Sequence, residues 1–431
     1  MVKINRILSL FAVSYFYTLV AGKPVEETNY FLGEYESGDC KDLDAYLKTQ
    51  NAELVMCGMT SNEDITDAEI KLDSINQNII NKLGSYSGTL KNVSFDKVTS
   101  IPKNLNLESL KIEKLRFNNR DHSFTDIPKN VLKTAKNVSI VDIYRFNLSQ
   151  NNIKDIGSLT KLTELYINLC IVDNHMDYTN LKNLKNLITL SLDSILIKGE
   201  NNKTLDKFPE SICQMKKLKN LSLQGNDITT LPKCIKNLKK LEFINLYSNK
   251  LNSLPKEIGN LSNLKFIVLD FNQIETIPVE FSKLAKLENL SMSDNRISTL
   301  PDEFGNFASL KDLDLTYNSI SSIPTAIGKL SNLEKLRLSN NKIYRIPSAI
   351  TKLSNLKNLD LSENKIKVIA DAIRKLKNLE YLYISDNLLT ELPEALGELK
   401  NLKYLDLHGN DVNADDIPES LKNLPNLEIR Y

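Results

Sequence analysis

The chain has 431 residues, and its 55 Lys and Arg residues nearly balance its 54 Asp and Glu residues. Apolar residues make up 41% and charged residues 25%, an ordinary composition for a soluble protein. This balance gives no reason to expect a nucleic-acid partner, because proteins that bind DNA or RNA usually carry a strong positive excess. One ordinary hydrophobic core does not grow to this length, so the sequence predicts several domains or a repeat array.

The first 22 residues have the order of a secretory signal peptide. Lys3 and Arg6 give a positive start, residues 7–20 are uncharged and mostly apolar, and the small residues Ala21 and Gly22 follow. A membrane-spanning helix needs ~20 apolar residues, so this run is too short for a stable membrane span. We therefore expect cleavage after Ala21 or Gly22, although Pro24 makes the site imperfect, and a secreted, extracellular product.

Leucines recur every 23 residues through the second half of the chain. Each unit follows the pattern LxxLxLxxNxLxxLPxxIxxLxx, where x is any residue. The units begin at Leu218, Leu241, Leu264, Leu287, Leu310, Leu333, Leu356, Leu379 and Leu402. Nine units in one register predict a stack of equal coils, in which each coil buries its apolar side chains against its neighbours.

The spacing within a unit predicts its local structure. The LxxLxL start has a period of two, which is typical of a short strand with alternate side chains turned inward. The Asn that follows recurs from Asn226 to Asn410, and its amide can satisfy backbone groups at the turn that ends the strand. Pro then starts a return segment whose spacing of three suits a short 3₁₀ turn. Strands of successive units should therefore pair in parallel.

These units resemble the leucine-rich-repeat superfamily, and their LPxxI form is similar to the Ras-group or small-plant-type repeat. The resemblance is regular over 218–431 and continues, with irregular spacing, back to about residue 89. It implies an α/β solenoid, a horseshoe with a parallel β-sheet on its concave face and short 3₁₀ or helical segments on its convex face. We predict a signal peptide at 1–22, an N-terminal cap at 23–88, irregular repeats at 89–217, and regular repeats with a minimal C-terminal cap at 218–431.

Five cysteines are an odd number, so at least one is unpaired or pairs between chains. Cys40 and Cys57 lie together in the predicted cap, and we expect a disulfide between them. Cys213 and Cys234 occupy nearly the same place in adjacent units, where they either pair or act as small buried apolar side chains. Cys170 is left over. Without CxxC spacing or a His cluster, the sequence predicts no metal site, and nothing in it points to a cofactor.

Seven N-x-S/T sequons are potential glycosylation sites in a secreted chain. Several of them arise from the repeat consensus itself and need carry no glycan. Asn202 lies in a polar insertion, residues 199–204, which we expect to bulge as a loop. It is therefore the favoured glycan acceptor.

The architecture that this resemblance implies places function on the strand face, at the x positions of LxxLxLxx, which we expect to face solvent and not to serve the core. Large rings suit the anchoring of a protein partner, and a row of acidic residues predicts a partner surface containing Lys or Arg. The alternatives are cross-strand packing of single rings and individually solvated carboxylates. The candidate partner-binding residues form two aromatic clusters and one charged row: Phe243, Tyr247, Phe266 and Phe271; Tyr381, Tyr383 and Tyr404; and Asp312, Asp314, Arg337, Asp360 and Asp406.

The sequence thus predicts a secreted binding protein that recognises another protein through its concave face. A glycan ligand is also compatible, since sugars stack on rings and bond to carboxylates, although the absence of Trp argues against it. One alternative is an intracellular signalling scaffold, which requires that the N-terminal segment is not a signal. A second, a carbohydrate-active enzyme, is disfavoured by scattered histidines and by the lack of a nucleophile triad, a phosphate loop or HExxH. The identity of the partner and the oligomeric state stay open.

Overall fold

The computed structural model describes residues 29–31, 38–59, 64–119, 124–201 and 203–431. These residues form two compact units, one ending at Leu165 and the other beginning at Tyr166. The expected signal peptide at 1–22 and the favoured glycan acceptor Asn202 lie outside the described residues. The boundary between the units falls inside the region predicted as irregular repeats, within strand β9 (Glu164–Asn168).

The first unit begins with a mixed helix and hairpin segment and continues into parallel strands. Its described helices are α1 (Gly38–Thr49), α2 (Gln77–Gly84) and α3 (Gln150–Gly157), with a 3₁₀ turn at Leu132–Thr134. Its described strands are β1 (Asn29–Phe31), β2 (Glu53–Met59), β3 (Ile65–Lys71), β4 (Asn92–Asp96), β5 (Lys114–Asn118), β6 (Thr125–Asp126), β7 (Ile140–Tyr144) and β8 (Phe146–Leu148).

Strand pairing in the first unit changes direction at β3. β1–β2 and β2–β3 are antiparallel, whereas β3–β4, β4–β5 and β5–β7 are parallel. A disulfide joins Cys40 in α1 to Cys57 in β2, and both residues are fully buried. Phe95 and Phe117 stack with ring centroids 5.8 Å apart, so successive parallel strands share one aromatic core.

The second unit repeats a short strand followed by a 3₁₀ turn. Its strands after β9 are β10 (Ile171–Val172), β11 (Thr189–Ser191), β12 (Leu196–Ile197), β13 (Asn220–Ser222), β14 (Phe243–Asn245), β15 (Phe266–Val268), β16 (Asn289–Ser291), β17 (Asp312–Asp314), β18 (Lys335–Arg337), β19 (Asn358–Asp360), β20 (Tyr381–Tyr383), β21 (Tyr404–Asp406) and β22 (Glu428–Arg430). The 3₁₀ turns are Thr179–Asn183, Glu210–Gln214, Lys233–Asn237, Lys256–Asn260, Val279–Lys283, Asp302–Asn306, Thr325–Lys329, Ser348–Lys352, Asp371–Lys375, Glu394–Glu398 and Ala414–Asp416, and helix α4 is Glu419–Lys422.

The 23-residue register sets the parallel ladder of the second unit. From β13 onward each strand pairs in parallel with the next strand in the chain, so that Ile244 lies opposite Ile267 and Ile267 opposite Leu290. These central residues are at most 1% exposed. Each return segment begins at a residue such as Pro255, whose carbonyl accepts from Ile258 N at 3.0 Å and closes the 3₁₀ turn. The predicted solenoid of parallel strands and short 3₁₀ turns is confirmed.

A ladder of buried asparagines ties successive repeats together. The Asn249 amide nitrogen donates to the carbonyl of Leu223 in the preceding repeat at 2.9 Å and to that of Leu246 at 3.1 Å. Its amide oxygen accepts from Ile228 N at 3.1 Å. The same contacts recur at Asn272 and at later repeats. Because each amide satisfies backbone groups that have left the strand ladder, these residues stabilise the fold.

The residue before each of these asparagines adopts a left-handed backbone conformation. The sequence pattern did not predict this row, because non-glycine residues occupy most of it at a cost of roughly 1–2 kcal/mol each. Its members are Gly225, Ser248, Phe271, Asp294, Tyr317, Asn340, Glu363, Asp386 and Gly409, with φ between 51° and 71°. The turn that follows the strand therefore has the same geometry in every regular repeat.

Lysine and glutamate alternate along the residues that directly follow the first leucine of each repeat. Glu242 lies 2.9 Å from both Lys219 and Lys265, so it bridges the repeats on either side. The same pairing joins Lys311 to Glu288 at 2.8 Å. The full column is Lys219, Glu242, Lys265, Glu288, Lys311, Glu334, Lys357, Glu380 and Lys403. Ion pairs of this kind form at five of the junctions, and each contributes little because it is exposed. Across the whole column, neighbouring repeats carry opposite charges at this position.

A second disulfide joins Cys213 and Cys234, which belong to successive 3₁₀ turns. The sequence left this pairing open, and the structure decides it. Cys170 keeps a buried thiol, which donates to the carbonyl oxygen of Asn168 at 3.5 Å. In the described part of the chain, no helix has the length and apolar character to cross a membrane.

Candidate functional site

The outward side chains of β13 to β22 form the strand face of the second unit. In each strand the middle residue points into the core, as Leu313 and Leu382 do at 0% and 1% exposure. The residues on either side of it point outward and lie next to their counterparts in the neighbouring strands. A ligand on this face would therefore contact side chains that are far apart in sequence but adjacent across the ladder.

The first aromatic cluster is not the open surface that the sequence predicted. Phe243 is only 5% exposed, so its expected solvent-facing position is wrong. In the ladder it lies between Asn220 and Phe266. Phe266 itself stays partly exposed.

The remaining two members of that cluster lie beyond the strands. Tyr247 and Phe271 belong to turns that follow β14 and β15, and their ring centroids are 5.2 Å apart. Both rings are partly exposed. Burial raises the pKa of Tyr247, and the nearby carboxylates Asp270 and Asp294 add to this effect. The first cluster thus separates into a covered strand residue, one partly exposed neighbour and a pair of rings at the turn edge.

The chain's own arginines form ion pairs with three aspartates of the acidic row. Arg337 Nη1 lies 2.7 Å from Asp312 Oδ1, and Arg337 Nε lies 3.1 Å from Asp314 Oδ2. Burial raises the pKa of Asp312, and Arg337 opposes that shift. Asp406 is 7% exposed and lies 3.7 Å from Arg430 Nη1. These three carboxylates therefore do not present the uncompensated acidic surface that we expected.

Asp360 differs from the other three aspartates. Its Oδ1 accepts from Ser362 N at 3.0 Å. Among the described residues, no nitrogen of a Lys, Arg or His side chain lies within 4.0 Å of its carboxylate. Arg337 faces Asp360 in the register of β18 and β19, but its guanidinium turns towards β17 instead. A partly exposed carboxylate without a cation is therefore left at this point of the strand face.

The second aromatic cluster lies directly beside Asp360. Tyr381 is opposite Tyr404 in the ladder, and Tyr383 lies between Asp360 and Asp406. The rings of Tyr383 and Tyr404 have centroids 5.4 Å apart and planes inclined by 46°. All three tyrosines are partly exposed, while the leucines between them are buried. The structure thus brings together three sequence-predicted tyrosines and one sequence-predicted carboxylate.

Comparisons with known proteins agree with this architecture. A family model described as "Leucine-rich repeat region" matches residues 209–299, 231–337, 280–359 and 325–429, about half of the chain in all. A leucine-rich-repeat protein of Leptospira interrogans is 30% identical, with a TM-score of 0.66 over 84% of this chain and 93% of its own. The chain belongs to the leucine-rich-repeat family. These matches establish the family of the chain. Its assignment to the Ras-group subtype of repeat stays a prediction.

More distant solved structures share the fold of this leucine-rich-repeat protein. An internalin of Listeria monocytogenes is 23% identical, with a TM-score of 0.60 and coverage of 91% of this chain and 93% of its own. The plant peptide hormone receptor RGFR1, solved in complex with RGF2, is 24% identical with a TM-score of 0.66. That match covers 86% of this chain and 59% of the receptor. No curated protein matches the sequence.

Sequence reasoning missed an open groove along the turns of this leucine-rich-repeat protein. It has a volume of about 490 Å³ and is lined by Asp294, Arg296, Tyr317, Asn340 and Glu363, among others. Most of these residues belong to the left-handed row that precedes the asparagine ladder. Tyr317 is 52% exposed, so its ring is available to solvent. These groove-lining positions recur every 23 residues in the sequence. The strand pattern alone does not identify them, because they lie after the strands.

A second cavity of about 430 Å³ lies at the irregular repeats, between residues 174–179 and 203–211. Tyr178 lines it but is only 7% exposed, and burial raises the pKa of its hydroxyl. Its other lining residues include His175, Lys203 and Asp206, which carry charges of both signs.

Within the described ranges, no group of three or more His, Cys, Asp or Glu side chains is arranged to hold a metal ion. The leucine-rich-repeat fold is typically an interaction scaffold rather than an enzyme.

Proposed function

We propose that this leucine-rich-repeat protein is a secreted binding protein that recognises a protein ligand through the strand face of its second unit. The observation that carries the proposal is the cluster of Tyr381, Tyr383 and Tyr404 on neighbouring strands. All three rings are partly exposed, and the core beneath them is already filled by leucines that are at most 1% exposed, such as Leu382 and Leu405. The fold has no need of these rings, whereas an interface uses them well.

Aromatic anchors favour binding for a physical reason. A tyrosine buries a large area on contact, loses little conformational entropy because it has few rotatable bonds, and can still donate a hydrogen bond at its tip. Here adjacent strands hold the rings in register, so the surface is organised before a ligand arrives. A plant receptor with the same fold is solved in complex with RGF2, which makes the fold compatible with this role without deciding it.

Secretion is supported by covalent chemistry as well as by the N-terminal sequence. Two disulfides, Cys40–Cys57 and Cys213–Cys234, persist in oxidising compartments and are rare in the cytosol. An intracellular signalling scaffold would be expected to carry these cysteines reduced. Alkylating the denatured protein without reductant should therefore modify one thiol per chain, that of Cys170. Modification of all five cysteines in protein taken from its native compartment would favour the intracellular alternative.

Processing of the N-terminus gives an independent test of secretion. Expression of the full chain in a secretory host should give a product in the medium that begins after Ala21 or Gly22. Glycosidase treatment should lower its mass, with Asn202 the favoured acceptor. An unprocessed, unglycosylated product retained in the cytosol would contradict the proposal.

The binding role is tested by comparing variants in a pull-down from secreted material. Tyr381→Ala/Tyr383→Ala should lose the partner while the melting temperature stays unchanged, because both rings lie outside the core. Tyr344→Ala is the matched control, since Tyr344 is 61% exposed and lies outside the strands. Equal retention of the partner by all variants would place the binding site elsewhere.

A photo-crosslinker maps the face that the partner contacts. Placed at Asn358, next to Tyr381 in the ladder, it should form a covalent adduct with the captured protein. The same group at position 344 should form none. An adduct at position 344 alone would show that the partner binds outside the strand face. If the tyrosine cluster retained an oligosaccharide rather than a protein, the ligand would be a glycan and protein recognition would be wrong.

A further inference from the structure

Among the described residues, Asp360 is the one aspartate of the predicted acidic row that has no Lys, Arg or His nitrogen within 4.0 Å. Its counterparts show what this site lacks. Asp312 and Asp314 share the guanidinium of Arg337, at 2.7 and 3.1 Å, and Asp406 has Arg430 at 3.7 Å. Within the described residues, the carboxylate of Asp360 accepts only the backbone N–H of Ser362. Acceptor positions on both oxygens of this carboxylate are therefore open to a ligand.

The ring of Tyr383 lies next to this carboxylate. It is opposite Asp360 on one side and Asp406 on the other, and it packs against Tyr404 with centroids 5.4 Å apart. Burial and the surrounding tyrosines and carboxylates raise the pKa of Tyr383, so the ring stays neutral at physiological pH. A neutral tyrosine ring has a negative face that attracts a cation. Aromatic faces and an uncompensated carboxylate thus meet at one place.

We propose that Tyr381, Tyr383, Tyr404 and Asp360 form a subsite for an arginine side chain of the protein ligand. This inference rests on the proposed function and specifies the chemistry of its binding surface. A guanidinium is planar, so it stacks on a tyrosine ring while its N–H groups donate to a carboxylate beside the ring. The chain already uses the arginine–carboxylate part of this pairing on the same face, where Arg337 bridges two aspartates.

Other occupants fit the subsite less well. An apolar side chain would cover Asp360 and remove water from a carboxylate without giving it a partner, which is costly. An acidic side chain would be repelled by Asp360 and by Asp406. A lysine supplies the charge, but its compact ammonium is strongly hydrated and cannot stack as a plane. The geometry therefore selects arginine over lysine, and both over neutral residues.

The test is saturation-transfer-difference NMR on the full chain with N-acetyl-Gly-Arg-Gly-amide as the probe. The same peptide with citrulline keeps the planar shape of the side chain but removes its charge, and the peptide with lysine keeps the charge but removes the plane. We expect the arginine peptide to bind about 5- to 10-fold more tightly than the citrulline peptide. The lysine peptide should fall between them. Equal affinity for arginine and citrulline would overturn the inference.

Variants locate the binding within the face. Asp360→Asn and Tyr383→Ala should each weaken binding of the arginine peptide about 5- to 10-fold, whereas Tyr383→Phe, which keeps the ring, should preserve it. Asp371→Asn is the matched control, since Asp371 is exposed on a 3₁₀ turn and not on a strand. A response of the control equal to that of Asp360→Asn would show nonspecific attraction by the net charge and refute the subsite.

The two proposals fail separately. If the pull-down partner depends on Tyr381 and Tyr383 but the arginine peptide does not bind, protein recognition stands and the arginine subsite is wrong. If the arginine peptide binds in an Asp360-dependent manner but no secreted protein is captured, the subsite stands and the proposed ligand class is wrong.

Discussion

Arg337 Nη1 lies 2.7 Å from Asp312 Oδ1, one strand back along the ladder, whereas Asp360 on the next strand makes no ion pair with any described residue. The same guanidinium reaches Asp314 through Nε at 3.1 Å. One side chain therefore decides which carboxylates of the strand face have an ion-pair partner and which do not. This asymmetry arises between adjacent strands of nearly identical backbone geometry.

Arg337→Gln should lower the free energy of unfolding by about 1 kcal/mol or less, because the pair is partly exposed and screened by solvent. The side chains of Arg337 and Asp312 are 34% and 21% exposed. Removing the guanidinium leaves two adjacent carboxylates without their ion-pair partner, so the loss should be larger at low salt than at high salt. Urea titration at two ionic strengths measures this. Arg345→Gln, at another exposed position, is the control, and an equal effect of both variants would contradict the assignment.

Phe243→Ala should destabilise the second unit by about 3 kcal/mol or more, as expected for truncation of a buried phenylalanine. Phe243 is 5% exposed, whereas its ladder neighbour Phe266 is partly open to solvent. Phe266→Ala should therefore cost clearly less. Thermal and urea unfolding followed by circular dichroism compare the two variants. Equal stability losses would mean that Phe243 is no more a core residue than Phe266.

Gly259→Ala should destabilise the protein by roughly 1–3 kcal/mol through overpacking. A Cβ atom at this position would lie 2.0 Å from the carbonyl oxygen of Glu280 in the next 3₁₀ turn, so the two turns would have to move apart. Gly88→Ala is the control, because no described residue other than its two chain neighbours lies within 4 Å of the added carbon there. Its stability should stay equal or rise slightly, by less than about 1 kcal/mol. Matching melting temperatures for both variants would refute the close approach.

Burial of Asp193 should make the free energy of unfolding decrease as the pH rises from mildly acidic to neutral. Its carboxylate is buried and accepts from Ser222 Oγ at 2.7 Å and from Gln224 N at 2.8 Å. Burial raises its pKa to about 6. Between its ordinary pKa and this value the folded state binds more protons than the unfolded state, so stability falls as pH rises through this range.

Asp193→Asn keeps an oxygen that accepts these hydrogen bonds and removes the titration. The difference in unfolding free energy between the wild type and this variant should therefore change by at most about 3 kcal/mol between pH 4 and pH 7.5. The wild type should be relatively weaker at the higher pH. Unfolding free energies across this pH range give the measurement, and parallel curves for the two proteins would contradict a shifted Asp193.

The repeat register made most of the second unit predictable from sequence. Leucine spacing placed the inward residues Ile244 and Ile267, and the recurrent Asn249 and Asn272 indicated a polar ladder. These features follow from local spacing, because an identical residue in every repeat must meet its own copy in the next coil. The cap disulfide was expected for a similar reason, since Cys40 and Cys57 are close in sequence in a segment without the repeat.

The details of the binding surface could not be predicted in the same way. The pattern placed Phe243 outside the core, but its actual exposure depends on the side chains beside it in neighbouring strands. The Arg337 side chain has acidic residues on both neighbouring strands and pairs with Asp312 rather than Asp360. The spacing of residues in the sequence does not distinguish these two partners. Tyr317 escaped notice because its left-handed backbone is set by the turn and not by its residue type.

The alternating Lys and Glu column has a consequence for how the array can change in length. Each junction between regular repeats now joins opposite charges, such as Glu242 with Lys265. Excision of the single repeat that contains Lys265 would set Glu242 beside Glu288, two carboxylates in directly opposed positions. Excision of two consecutive repeats would instead restore an attractive junction. The backbone is periodic in one repeat, but the electrostatic pattern is periodic in two, so this solenoid tolerates shortening or lengthening by even numbers of coils better than by odd ones.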